Sequence, residues 1–253
     1  MKYRSFSIEV LLLTIYFLFI PQPAYAMHIM EGFLPVKWAA FWWVISTPFF
    51  LFGVKRVRVV IKENPQFKLL LGVIGAFTFA LSALKLPSVA GSSSHMTGVG
   101  LGAILFGPAI MSVIGGIVLL FQALLLAHGG ITTLGANLFS MAITGPIFAV
   151  GTYHVFKRLF RRDKLAIFLA ASLGDLMTYV VTSLQLALAF PSQIGGVTES
   201  FQKFFTIFAV TQVPLAMIEG IITVIVIQLL KQNHQQELQI LLKKKGGFLH
   251  GGK

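Results

Sequence analysis

Cysteine is absent from the 253 residues, which excludes disulfides, thiolate metal sites and cysteine nucleophiles. Charged residues are also scarce at 11%, and only 8 side chains are Asp or Glu. Hydrophobic residues, by contrast, make up 56% of the chain, which is typical of a polytopic membrane protein and not of a soluble domain. Any transition-metal site must therefore use nitrogen, oxygen or thioether ligands.

Several catalytic motifs are also missing from the sequence. No Walker A pattern, HExxH, GxSxG or CxxC occurs, so the chain does not hydrolyse ATP through a P-loop. If transport is driven by ATP, another subunit must supply the ATPase. The net charge of +12 does not indicate nucleic-acid binding, because the basic residues cluster at 55–68, at 157–164 and after 231. Such clusters in short segments are typical of the cytoplasmic side of a membrane protein.

The first 26 residues have the features of a cleaved secretory signal peptide. Two basic residues precede an apolar run at 10–20, and an A-x-A cleavage site follows at 24–26. Cleavage there would leave Met27 as the amino terminus, with His28 as the second residue. The free α-amine, the His28 amide nitrogen and the His28 imidazole would then form a fused chelate for a divalent transition metal.

We expect residues 27–253 to form one all-α membrane domain of about seven transmembrane helices. The predicted helices span 36–54, 68–86, 97–107, 109–127, 134–156, 165–190 and 204–230. The third stretch is shorter than the ~20 residues of an ordinary spanning helix, but counting it as a crossing places all the basic clusters inside. The mature amino terminus is then outside a bacterial cell membrane, and the basic tail 231–253 is cytoplasmic.

Three histidines fall at the outer face in this topology. His95, in a loop of small residues, would complete four nitrogens with Met27 and His28, a set that suits Ni(II) or Cu(II), and Co(II) if the geometry is imposed. His128 ends the fourth predicted helix and could ligate or orient a ligand, although a helix-end histidine bonded to backbone is the favoured interpretation. Ser94 is a candidate partner for the second ring nitrogen of a ligating histidine.

Three polar side chains lie inside predicted helices. Asn137 could bond to a ligand imidazole or an unwound backbone, or hold helices together. Asp175 and Glu219 could form an ion path, or serve an intramembrane enzyme, which is the alternative function of another class. A structural role, bonded to Thr178, Gln212 or backbone, is favoured because no basic partner lies in the same helices. A purely structural membrane subunit would leave the outer histidines unexplained.

Three motifs resemble the signatures of one known family. They are MHIMEGFLP at 27–35, SH at 94–95 followed by the small residues of 97–102, and GGITTLGAN at 129–137. The chain resembles the substrate-binding (S) component of energy-coupling-factor (ECF) cobalt and nickel transporters, the CbiM/NikM family, over essentially all of 27–253. The resemblance implies a seven-helix S-component fold. It also implies a metal held by the amine of Met27, the amide and imidazole of His28, and His95.

The resemblance further implies a transport subunit and not an enzyme. Its partners would be a transmembrane coupling (T) protein, cytoplasmic ATPase subunits and a small accessory membrane subunit. Ala76 and Ala80, small residues on one face of the second predicted helix, would form the docking surface for the coupling protein. The cargo would be Co(II) for cobalamin synthesis, with Ni(II) as the alternative. The cleaved signal and the absence of a fused accessory domain favour cobalt.

Overall fold

The computed structural model describes residues 27–87 and 93–233. In these residues the chain forms seven helical segments and one two-stranded antiparallel ribbon. The helices are α1 (Val36–Glu63), α2 (Phe67–Ala83), α3 (Val99–Phe106), α4 (Pro108–Leu125), α5 (Leu134–Phe160), α6 (Asp163–Ala189) and α7 (Gly196–Asn233). The ribbon pairs β1 (Leu86–Pro87) with β2 (Ser93–Ser94). The mostly helical architecture agrees with the predicted all-α class.

Four of these helices, α4 to α7, are long and apolar enough to cross a membrane, and α2 is a shorter apolar helix. Because helices satisfy their own backbone hydrogen bonds, they are the form in which such apolar stretches span a bilayer. The chain is therefore a multi-pass helical membrane protein. The count of seven crossings stays a prediction. The signal peptide at 1–26 and the end of the tail, 234–253, lie outside the described residues.

The first helix is longer than the sequence analysis predicted. α1 continues past residue 54 through the first basic cluster and ends at Glu63, before Asn64 and Pro65. Lysine and arginine are good helix formers, and no glycine or proline interrupts the stretch 55–63, so nothing ends the helix earlier. The first basic cluster is thus mostly helical and was wrongly interpreted as a loop.

α3 lies in the centre of the bundle. Seven of its eight residues are buried, and Val99 and Ala103 are completely inaccessible. Gly107 ends the helix with φ +89°, a left-handed conformation that glycine adopts without strain, and Pro108 then begins α4. Eight residues of α-helix are only about 12 Å long, so α3 by itself does not span the hydrocarbon of a bilayer.

The connections of the helices create two distinct ends. At one end, which we call the site end, the segment 27–35 meets the segments 93–98 and 126–133 through backbone hydrogen bonds. At the opposite end, which we call the basic end, Lys157 of α5 and Lys231 of α7 both pair with Asp163 of α6. The two basic clusters of α1 and α5 therefore lie away from the site end.

Candidate metal centre

The segment after the predicted cleavage site is buried and fixed by polar contacts. Met27 and His28 are 1% and 2% exposed, and the Met27 nitrogen donates to the carbonyl oxygen of Ser93 at 3.1 Å. Asn137 donates from Nδ2 to the Ile29 carbonyl at 3.0 Å and accepts from the Ile29 amide at 2.8 Å. Thr133 Oγ1 donates to the same carbonyl at 2.6 Å. The backbone beside His28 is therefore held by the first turn of α5.

The glycine pair before α5 lets this segment approach closely. The Glu31 amide donates to the Gly129 carbonyl at 3.2 Å, and a Cβ on Gly130 would lie 2.4 Å from the Glu31 Cα. Only glycine fits at position 130 without moving the segment. The Thr132 amide donates to Glu31 Oε2 at 3.1 Å, and hydrogen bonds from the side chain and then the amide of Thr132 hold the pKa of the Glu31 carboxyl below its ordinary value.

Three histidines from three separate segments meet beside this anchored backbone. One ligand nitrogen from each of His28, His95 and His128 lies within 4.8 Å of the other two, and all three side chains are buried. The closest pair is His28 Nδ1 and His95 Nε2, which are 3.0 Å apart. The His128 ring stacks on the His28 ring, with centroids 4.5 Å apart and planes 17° apart.

The hydrogen bonds assign the ring protons of the closest pair. His95 Nδ1 lies 2.9 Å from the Met96 carbonyl oxygen, which can only accept, so His95 Nδ1 carries the proton. His95 Nε2 then presents its lone pair to His28, and His28 Nδ1 is the donor across the 3.0 Å contact. One proton, carried by His28 Nδ1, therefore lies between His28 Nδ1 and His95 Nε2.

Burial keeps all three imidazoles neutral. It lowers the pKa of His95 to about 4, an effect that the bond to Met96 partly offsets. Burial lowers the pKa of His28 well below its ordinary value, and the neighbouring His128 and His95 lower it further. The pKa of His128 falls for the same reason, burial first and His95 second. Neutral imidazole is the form that binds a metal ion, so no proton has to leave a charged ring before binding.

Two nitrogens of the cluster lack hydrogen-bond partners. His28 Nε2 and His128 Nε2 are buried and make no hydrogen bond within the described parts of the chain. Buried polar atoms in native proteins are normally paired, so these two nitrogens are able to take up a proton or a ligand.

A second polar cluster lies behind His95. Asp175 of α6 and Glu219 of α7 both accept from the Thr97 amide, at 3.2 and 2.6 Å. Gln212 of α7 donates from Nε2 to Asp175 Oδ2 at 2.6 Å and to the His95 carbonyl at 3.0 Å. The predicted bond from Gln212 to a carboxylate is thus present. Thr178 was wrongly considered as a partner, because its hydroxyl donates to the Gly174 carbonyl one helical turn back.

The structure corrects two expectations about the residues around the histidines. Ser94 does not contact the second nitrogen of His95, because that nitrogen bonds to Met96 and the Ser94 hydroxyl bonds to Thr211 at 2.7 Å. His128 is not satisfied by backbone through both nitrogens, since Nε2 is unpaired and the ring lies against His28 and His95. Of the two roles proposed for Asn137, it binds backbone and not an imidazole.

Sequence reasoning missed three contributions to the hydrogen bonds that hold the site together. Thr133 and Thr97 are threonines in motifs that drew attention for their glycines, and the bond from Gln212 to His95 joins residues 117 positions apart. Only the Asn137 and Thr133 pair, spaced four residues apart at the start of a helix, carried a local signal, because both side chains face the same side.

Comparisons with known proteins identify the family of the chain. The family model described as "Cobalt uptake substrate-specific transmembrane region" (CbiM) matches residues 28–237. The chain belongs to this family. It is accordingly a transporter component and not an enzyme, which leaves the intramembrane-enzyme alternative without support.

Similar proteins span nearly the whole chain. The chain is 61% identical over 233 residues to "Cobalt transport protein CbiM" of Moorella thermoacetica, covering 90% of both chains. It is 62% identical over 219 residues to the protein of that name from Nostoc sp., covering 87% of this chain and 84% of the other. Two crystal structures share the fold. One is a transition metal transporter, with a TM-score of 0.71 and 24% identity, covering 88% of this chain and 100% of the other. The second is a truncated transition metal transporter, with a TM-score of 0.69 and 23% identity, covering 81% of this chain and 98% of the other.

Proposed function

We propose that this chain is the substrate-capture membrane subunit of a cobalt importer, and that it binds Co(II) among His28, His95 and the mature amino terminus. One observation carries the proposal. His28 Nδ1 and His95 Nε2 are 3.0 Å apart. Two nitrogens bound to one metal at about 2.0 Å, with a right angle between them, are about 2.8 Å apart. A metal ion could therefore take the place of the shared proton, which would move to His28 Nε2, with little movement of either ring.

Cleavage after Ala26 would complete the ligand set. The Met27 nitrogen would become an α-amine, and the His28 amide nitrogen would lie between that amine and the imidazole in the same chelate. The burial of Met27 and the bonds from Asn137 and Thr133 to Ile29 support this role, because they fix the backbone that would carry two of the four nitrogens. Such preorganisation reduces the entropy cost of closing a chelate.

His128 is best assigned to the face of the site and not to its plane. An imidazole nitrogen binds metal in the plane of its ring, and the His128 and His28 rings are nearly parallel, with centroids 4.5 Å apart. Their lone pairs therefore lie in two separate planes. His128 therefore covers one face of the site and shields it from water.

We place the site end outside and the basic end in the cytoplasm. The positive-inside bias supports this orientation, since Lys157 of α5 and Lys231 of α7 lie at the end opposite the histidines. In this topology α3 and the residues directly before it make the third of seven crossings, the stretch predicted at 97–107. Phe106, at the end of α3, contacts Phe67 at the start of α2, which supports a path from the site end to the basic end.

A groove between α1, α2 and α4 is the proposed docking surface for a coupling protein. It has a volume of about 640 Å³, is almost entirely apolar, and includes Ala76 on its wall. Ala76 and Ala80 are both exposed on α2. Small exposed side chains let a second helix approach closely within a bilayer. ATPase subunits and a small accessory membrane protein would complete the importer.

Ni(II) is the second candidate cargo, because four nitrogens in one plane favour it by ligand type. N-terminal sequencing of the purified protein, followed by loading with equal Co(II) and Ni(II) and mass spectrometry, decides between them. A Met-His-Ile terminus with about one cobalt per chain is expected. A His154→Ala variant, altered at the basic end, should match wild type. A retained signal, or a mature chain that binds neither metal, would overturn the proposal, and a nickel preference would reassign the cargo.

A further inference from the structure

One peptide unit connects the carboxyl pair to the metal-site histidine. The carbonyl of Met96 accepts from His95 Nδ1 at 2.9 Å. The N–H of the same peptide unit belongs to Thr97, and it donates to Glu219 Oε2 at 2.6 Å and to Asp175 Oδ1 at 3.2 Å. The carboxyl groups and the imidazole are thus bonded to opposite ends of a single amide.

We propose that Asp175 and Glu219 act through this peptide unit as positioning residues for His95, and that they strengthen His95 Nε2 as a donor to the metal. This inference rests on the proposed function, since it requires His95 to be a ligand. It adds a role for two residues that do not touch the metal site themselves.

The direction of the effect follows from hydrogen-bond polarisation. A carboxylate that accepts from an amide N–H draws the proton outward and increases the negative charge on the carbonyl oxygen of that amide. The Met96 oxygen then binds the His95 Nδ1 proton more strongly. An imidazole whose N–H is bonded to a strong acceptor is a more basic ligand at its other nitrogen. The amide thus replaces the direct carboxylate contact that many metal-bound histidines make.

The same contacts restrict the orientation of the His95 ring. Gln212 donates to the His95 carbonyl at 3.0 Å, and the Thr97 hydroxyl donates to Glu219 at 3.1 Å. On the other side, Thr78 of α2 donates to the Gly98 carbonyl at 3.1 Å. The backbone from residue 95 to residue 98 is therefore bonded to α2, α6 and α7. These bonds hold the Met96 carbonyl in place, and the His95 ring cannot turn without losing its bond to that carbonyl.

The carboxyl pair is buried without a basic partner. Both side chains are completely buried, and neither forms an ion pair with a basic side chain of the described residues. Burying a carboxylate costs several kcal/mol unless it is compensated. Glu219 also accepts from the backbone amides of Gly98 and Gly100, so it caps the start of α3 as well as the Thr97 amide. An ionised acceptor polarises the Thr97 amide more strongly than a neutral side chain would.

The test compares Glu219→Gln and Asp175→Asn with Glu199→Gln, which makes the same change at an exposed position of α7. Each purified, cleaved protein is titrated anaerobically with Co(II), and the affinity, d–d absorption spectrum and melting temperature are recorded. We expect Glu219→Gln to bind about 10- to 100-fold more weakly, with d–d bands moved to longer wavelength, as for loss of an outer hydrogen-bond partner. Asp175→Asn should show a smaller change in the same direction. Glu199→Gln should match wild type.

Two other outcomes would contradict the inference in different ways. If wild type binds cobalt and the variants bind it with the same affinity and spectrum, the carboxyl pair has no influence on His95. If wild type binds no cobalt, the proposed function fails and the inference fails with it.

A measurement on the wild-type chain keeps the inference testable if the variants do not fold. Metal-free protein with 15N-labelled histidine should show a protonated, strongly hydrogen-bonded Nδ1 on His95, assigned with a His95→Gln variant. A His95 with its proton on Nε2 would show that the Met96 carbonyl does not receive that bond, and would overturn the inference.

Discussion

The two buried polar clusters of this protein differ in how completely their atoms are bonded. In the histidine cluster, His28 Nε2 and His128 Nε2 have no partner among the described residues. In the carboxyl cluster, all four oxygens of Asp175 and Glu219 accept a hydrogen bond, from the Thr97 amide, the Thr97 hydroxyl or Gln212, and only Gln212 Oε1 has no partner among the described residues. Both clusters are equally inaccessible.

This difference indicates which cluster receives a ligand. Neutral imidazole nitrogens from three segments converge in the histidine cluster and suit a transition metal, whereas the carboxyl oxygens are each engaged by a donor from the His95 loop or from α7. The carboxyl pair is therefore a support for the loop that carries His95, and the histidine cluster is the binding position. Loss of His28 or His95 should weaken metal binding most, and substitutions of the residues that support or cover them should weaken it less.

The largest effect is expected from His28→Ala. This change removes one ligand nitrogen and one end of the 3.0 Å contact with His95. We expect binding to weaken by more than about 100-fold, since loss of a direct ligand exceeds the cost of losing an outer partner. Isothermal titration of the cleaved protein with Co(II) measures the loss of affinity, and His154→Ala is the control. Binding within tenfold of wild type would remove His28 from the ligand set.

Asn137→Ala should have the next largest effect. It removes both hydrogen bonds to the Ile29 backbone, at 2.8 and 3.0 Å, and so loosens the segment that carries His28. We expect about 10- to 100-fold weaker binding. The matched control is Ser140→Ala, whose hydroxyl bonds only within α5. Equal affinities in the two variants would show that the anchoring does not matter for the site.

His128→Ala tests whether His128 covers the face of the site or is itself a ligand. Because its ring is stacked on His28, its removal should leave the in-plane nitrogens in place. We expect binding to weaken by about tenfold or less, as for an outer contact. Titration of both variants, His128→Ala and His28→Ala, with Co(II) measures the ratio of their affinities. A loss as large as that of His28→Ala would make His128 a direct ligand.

The smallest effect on binding is expected at the groove. A double variant, Ala76→Leu with Ala80→Leu, enlarges two exposed side chains of α2 far from the histidines. Co(II) affinity of the purified protein should stay unchanged, while uptake by cells falls because a partner helix can no longer approach. Val73→Leu, exposed on α2 but not on the groove wall, is the control. Unchanged uptake in the double variant would place the docking surface elsewhere.

The helical fold could be predicted from hydrophobic runs and their interruptions. Gly107 with Pro108 separates α3 from α4, and Pro35 precedes α1, as local turn chemistry leads one to expect. The extension of α1 to Glu63 was missed because the basic cluster that begins at Lys55 was taken to mark the end of the helix. The π-helical stretch Leu138–Thr144 within α5 has no local sequence signal, since packing around Asn137 and not intrinsic propensity decides it.

The candidate site could be predicted only in part. Charge distribution placed His28, His95 and His128 at one face, and the structure brings these three together. Their support was not predictable, because Gln212, Thr97 and Glu219 meet through contacts between residues more than 100 positions apart. Such contacts arise from the packing of α6 and α7 around the centre of the bundle and leave no periodic pattern in the sequence.

The central claim is that the mature amino terminus is part of the metal site. Its most direct test inserts Gly-Ser between Ala26 and Met27, so that the cleaved chain begins with two extra residues. A single extra residue is avoided, because it would create a different terminal chelate with histidine in the third position. The same two residues added after Lys253 give the control. We expect the native and control proteins to hold about one Co(II) per chain and the extended protein to hold none, with all three equally folded. Stoichiometric cobalt in the extended protein would contradict the claim.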